Sequence, residues 1–215
     1  MSTTPRKTDR RTLYTRRVIK DALLELLGQE PYNKLNVTMI CKGAEITRAT
    51  FYLHYSGLDE VLDEVIGEAL ELAEEAGDPS DYEARVQRLM RVLSGGPQAL
   101  RGNEQLLPPC QRIADPAKYR ALFMDDSLSY YVIRRIYLAE RDSAVPGIAR
   151  QSGVREEDAD RLFMLMIYGL YYVNRSMKWE KNEDWYRMQY LVHHMFWAGL
   201  QGIAVLPETG RDPKT

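Results

Sequence analysis

Residues 37–55 read VTMICKGAEITRATFYLHY, and their spacing carries the clearest chemical signal in this 215-residue chain. Asn36 and Thr47 are side chains that cap helix starts, so each is expected to open a short helix, one from about Val37 to Gly43 and one to about Tyr55. The apolar positions Val37, Ile40, Ala44, Ile46, Phe51 and Tyr55 fit two helices separated by a short turn. Ile40 and Ala44 would pack the first helix on the second. The second helix is short because only its exposed N-terminal half must reach base edges, as in a helix-turn-helix. The chemistry implied is the reading of DNA. Short helix pairs also form ordinary corners in all-α proteins, and the spacing alone leaves that alternative open.

Charge points the same way. Residues 1–56 carry ten Lys/Arg and five Asp/Glu, a balance of +5, while the other 159 carry 19 basic and 26 acidic side chains, a balance of −7. A basic end on an acidic body suits contact with a polyanion. A solvated basic tail is the plainer reading. Other chemistry is scarce. There is no Gly-rich phosphate loop, no G-x-S-x-G and no H-E-x-x-H, so no enzyme is expected. Asp125-Asp126 and Glu156-Glu157-Asp158 are carboxylate pairs, and the latter suits the first turn of a helix. His193 and His194 are adjacent on a helix and point about 100° apart, so they do not share a metal. No metal and no cofactor are expected. Two cysteines, Cys41 and Cys110, make no disulfide framework, and the N-terminus has no apolar signal segment. A cytoplasmic location follows as the expectation. The longest apolar run, Leu162 to Val173, is too short to cross a bilayer.

The elements that position these residues read as helices throughout. A helix from about Arg10 ends at Gly28, before Pro31. Further helices are expected at Leu58 to Ala76, Tyr82 to Leu93, Asp115-Pro116 to about Arg141, Arg155 to Lys178 and Asn182 to Gln201. Asp142 to Gly153, with Pro146 and Gly147, reads as a connection. The expected fold is all-α, a three-helix helix-turn-helix head at 1–56 and a larger helical ligand-binding and dimerisation body at 57–215.

Residues 13–65 resemble the DNA-binding head of TetR/AcrR-type bacterial regulators. The resemblance rests on Ile19-x-x-Ala22-x-x-x-Leu26-Leu27, Pro31-Tyr32-x-Lys34-Leu35 and Val37-Thr38-x-Ile40-Cys41-x-x-Ala44. It continues through Ile46-Thr47-Arg48-x-Thr50-Phe51-Tyr52-x-His54-Tyr55 and Asp59-Glu60. It implies a homodimeric repressor that reads a palindrome in double-stranded DNA and responds to a small effector. By the same resemblance Asn36, Thr38 and Thr47 meet phosphates at helix starts. Arg48, Ala49 and Thr50 read base edges, and Tyr52 and His54 touch the DNA backbone. Two residues depart from the pattern. Glu45 stands where a turn glycine is usual, and Leu58 where a lysine commonly grips phosphate.

The body is less explicit. Residues 162–173, LFMLMIYGLYYV, are apolar around the whole circumference, which requires cover on every side. With the last helix they make 155–201 the expected homodimer face. Met90, Phe123, Met124, Tyr131, Phe163, Tyr168 and Tyr171 are candidates to line an effector cavity, though such stripes also make plain core. No membrane partner is expected. Two rival functions remain: a protein-interaction regulator with weak or no DNA binding, and a small-molecule carrier.

Overall fold

The computed structural model describes residues 7–77, 81–112 and 117–206. Among them the chain is all-α, with no strand. The helices are α1 Lys7–Leu27, α2 Val37–Gly43, α3 Arg48–Tyr52, α4 Leu58–Glu75, α5 Tyr82–Leu93, α6 Pro109–Arg112, α7 Arg120–Met124, α8 Ser129–Ser152, α9 Glu156–Ser176 and α10 Glu183–Ala204. No helix is long and apolar enough to cross a membrane among the described residues.

The chain forms two compact units, Met1–Ala69 with Pro116–Tyr130, and Leu70–Asp115 with Tyr131–Thr215. The first is built on α1, which packs against α2 and α7, while α2 packs against α3. Ile19, Leu23, Ile40, Phe51, Val61 and Val65 are fully buried there. The 3.6-residue spacing of these positions puts one apolar stripe of each helix into a common core. The second unit has a cluster of Leu89, Leu93, Leu100, Leu106, Leu107, Trp185 and Tyr186. Below it, the Asn174 side chain organises a buried polar knot. Its Oδ1 accepts from Trp185 Nε1 at 2.8 Å and from Gln189 Nε2 at 3.0 Å, and its Nδ2 donates to the Leu170 carbonyl. Leaving one of these buried donors unpaired would cost about 1–3 kcal/mol, so this knot fixes the register of α9 on α10.

Two sequence expectations need correction. The helix expected to run unbroken to Arg141 is interrupted at Asp125, whose backbone is extended (ψ 121°). The Asp125 carboxylate caps a new turn by accepting from Ser127 N at 2.7 Å, and its other oxygen accepts from Tyr32 N at 2.7 Å. Its capping role outweighs continuation of the helix. The expected start of that helix, Asp115-Pro116, lies outside the described residues. From Asp142 to Ser152 the expected connection is instead the second half of α8, with Pro146 inside the helix, and only Gly153 lies beyond its end. The carbonyl that Pro146 leaves without its usual donor belongs to exposed Asp142, where water can serve it. Ala144, Val145 and Ile148 are buried, and a Cβ on Gly147 would stand 2.4 Å from the Tyr82 ring. Packing of this face therefore overrides the local preference to break.

Candidate nucleic-acid interface

The helix-turn-helix forms because each short helix is capped by its own side chain. Asn36 Oδ1 accepts from Met39 N at 3.1 Å, and Thr47 Oγ1 accepts from Thr50 N at 3.1 Å. Between them, Ile46 N donates to the Cys41 carbonyl and Glu45 N to the Lys42 carbonyl. This pair of bonds closes α2 in a Schellman arrangement, which needs a left-handed residue after the cap. That residue is Glu45, with φ 53°. A side chain there costs on the order of 1 kcal/mol relative to glycine. Glu45→Gly is therefore expected to raise stability in urea unfolding by about 0.5–1 kcal/mol, after allowance for the floppier unfolded chain. A loss of stability would show that the Glu45 side chain makes a compensating contact.

α3 stands with one face inside and one outside. Phe51 is fully buried and Tyr55, just beyond the helix, is 2% exposed. Thr47, Arg48, Ala49 and Tyr52 are exposed, as are Asn36 and Thr38 on the first helix, while Thr50 and His54 are half-buried. All eight expected contact residues thus fall between Asn36 and His54 on the two capped helices and the turn after them, none of them in the core. The Arg48 guanidinium lies 6.0 Å from the centre of the Tyr52 ring. The Thr50 hydroxyl is held 2.9 Å from that of Thr47, so one of the two donates within the cap. Leu53 is the most exposed of the neighbouring apolar residues, at 81%. Leu58 opens α4 and is half-buried. Cys41 is buried behind α3, and burial pushes its thiol up, with Arg48 pulling slightly the other way.

A cluster of charge, missed in the sequence, braces this surface from behind. Glu64 on α4 accepts from Lys20 at 2.6 Å, from the Tyr55 hydroxyl at 2.9 Å and from Arg16, and Lys20 also reaches Glu68. The Arg16 guanidinium lies 4.8 Å over the Tyr55 ring. Burial alone would raise the Glu64 carboxyl, but the donors from Arg16, Lys20 and Tyr55 outweigh it and hold it down at about 2. A carboxylate so depressed stabilises the fold above its ordinary value of 4.5 and loses that contribution progressively as pH falls from there through about 2. The signal was present as two ladders at i, i+4, Arg16/Lys20 and Glu64/Glu68. Pairing them requires knowing that α1 and α4 are neighbours.

Residues 19–65 match the family model described as bacterial regulatory proteins, tetR family. This part of the chain is a TetR-family DNA-binding head. No curated protein matches the chain. The match covers both short helices, the Schellman turn, Tyr55 and Glu64. A chain with a TetR-family head is a DNA-binding transcriptional regulator.

The seven expected cavity residues are not gathered in one place. Met90 and Phe163 line a cavity in the second unit. Phe123, fully buried, and Met124 belong to the first unit, so they form no part of that cavity. Tyr131, Tyr168 and Tyr171 lie in the second unit but away from the cavity lining. Tyr171 is buried with its ring 5.5 Å from that of Trp179. His193 and His194 each turn Nδ1 onto a carbonyl of their own helix, those of Gln189 and Tyr190.

Proposed function

We propose that this protein is a homodimeric repressor whose two heads read a palindromic operator and whose body, 57–215, releases DNA when a small molecule binds it. The observation that carries the reading is α3 itself. Arg48, Ala49 and Tyr52 are exposed on a helix whose opposite side, Phe51, is fully buried. In this reading Arg48, Ala49 and Thr50 meet base edges, with Arg48 bidentate on a guanine. Asn36, Thr38, Thr47, Tyr52 and His54 meet the backbone and set the register. Effector binding shifts the population toward a head spacing that misfits the operator. A mobility-shift assay on DNA upstream of its own gene tests this. A retarded band that an unrelated competitor DNA does not abolish supports the reading. Absence of any shift from an intact dimer would favour a protein-interaction role.

The dimer reading rests on apolar surface. On α9, Leu165 is 65% and Tyr172 52% exposed, and on α10 Met195 is 61% exposed with Leu191 beside it. These recur at helical spacing on two consecutive helices. Gly169, Gly199 and Gly202 leave open space where a Cβ would stand, so a partner helix can approach closely. Contiguous apolar patches of this kind mark association surfaces. Sedimentation at micromolar protein is expected to give twice the chain mass of 24.9 kDa. Leu165→Glu with Met195→Glu is expected to give the single-chain mass, because each like charge is then buried against its copy. A monomeric wild type would refute the interface.

A further inference from the structure

The cavity in the second unit lies among α5, α8, α9 and α10 and holds about 60 Å³. Its wall is mainly apolar, with Leu89, Phe163, Ile167, Leu170, Phe196 and Leu200. Arg85 interrupts that wall. It is 8% exposed, and its guanidinium has no carboxylate within ion-pair distance among the described residues. Gln151 lines the same cavity, and its Nε2 is buried with no hydrogen-bond partner. The Gln151 amide N–H is buried without an acceptor and the Arg85 guanidinium has no paired carboxylate, and an anionic oxygen would serve both. Glu140 also lines the cavity and has interactions of its own. Tyr82, packed onto Gly147, adds a hydroxyl that burial pushes up to about 12, so it remains protonated.

The polar end has a way in. A surface depression lined by Glu83, Arg150 and Gln201 shares Val86, Gln151 and Trp197 with the cavity. The Arg150–Glu83 ion pair, at 2.6 Å, borders it and is exposed enough to open. Pockets for small ligands commonly run to several hundred Å³, so at about 60 Å³ a guest enters this cavity only by parting its apolar side chains, and a slender flexible chain displaces the fewest of them.

We propose that the cavity binds an amphipathic monocarboxylate, with its carboxylate on Arg85 and Gln151 and a slender unbranched tail among the apolar side chains. The proposal rests on the reading of the body as the effector-binding part and names the class of effector. Calorimetric titration of the full chain with decanoate, methyl decanoate, decylamine and acetate tests it. Decanoate is expected to bind roughly 10- to 100-fold more tightly than methyl decanoate, the value of a charge-assisted hydrogen bond. Acetate, with the head but no tail, is expected not to bind. Arg85→Gln is expected to abolish the preference for acid over ester, and Arg85→Lys to keep part of it. Should Arg85→Gln fail to fold, the wild-type comparison of acid, ester and amine still decides. Equal binding of acid and ester, tighter binding of the amine, or no decanoate binding would overturn the proposal. The mobility shift separates the two readings. Decanoate that binds but leaves the DNA complex intact overturns effector release while the ligand class stands. A protein that shifts its DNA and ignores decanoate overturns the ligand class alone.

Discussion

Arg48→Ala is expected to cost about 1–3 kcal/mol of affinity for the specific site, roughly 5- to 150-fold, and far less for random duplex. The expectation follows from position. Arg48 begins α3, is exposed, and stands beside Tyr52 with Thr47 capping the helix before it. A guanidinium there offers two parallel donors, which match the O6 and N7 of one guanine and no other base. Against random DNA the same cation is worth one phosphate contact. Tyr52→Phe is the control, because its hydroxyl can meet only the backbone and its loss weakens both complexes alike. Fluorescence anisotropy with the two duplexes measures both variants. Equal losses on both DNAs for Arg48→Ala would remove it from base reading.

The second large effect is salt. The structure narrows the cations open to DNA. Arg16 and Lys20 are committed to Glu64, and Lys34 stands 3.7 Å from Glu30. Arg10, Arg11, Arg17, Lys42 and Arg48 remain exposed. If two or three engage per head, a dimer is expected to show a slope of log K against log salt of roughly −4 to −5. Affinity then falls roughly 250- to 1,000-fold over a fourfold rise in salt. Replacing Arg10 and Arg11 by glutamine is expected to flatten the slope and leave the preference for the specific sequence intact, since phosphates carry no sequence information. Leu58→Lys is expected to steepen it by about one unit per head if the start of α4 lies on the backbone path. A slope unmoved by both changes would make the basic N-terminal helix a solvated face.

The head was largely legible because its information is local. Asn36 and Thr47 announce helix starts three residues before the N–H groups they cap, and the bounds of α2 were readable to the residue. α3 is shorter than its apolar pattern implied. Leu53 caps it, although Tyr55 N still donates to the Phe51 carbonyl. What the sequence hid was long-range. Asp125 breaks a helix to hold Tyr32, 93 positions away, and no periodicity reports that. Pro146 and Gly147 carry strong local breaking preferences, yet burial of Val145 and Ile148 and the Tyr82 ring over Gly147 keep the helix continuous. The all-round apolar run at 162–173 signalled two covers. The structure supplies one through Phe163, Ile167 and Leu170, and leaves Leu165 and Tyr172 outside. Cavity residues were the least legible. Aromatic side chains look alike whether they line a space or fill it, and the informative residues, Arg85 and Gln151, are polar ones that an apolar stripe does not contain.

Two copies of this head are expected to read one symmetric sequence. Selection of bound duplexes from a random pool by the full-length protein, followed by sequencing, tests it with no operator sequence assumed. The expected result is enrichment of an inverted repeat whose half-sites each contain a guanine that Arg48→Ala no longer selects. Recovery of unenriched sequence, or of a single asymmetric site bound by a monomer, would contradict it.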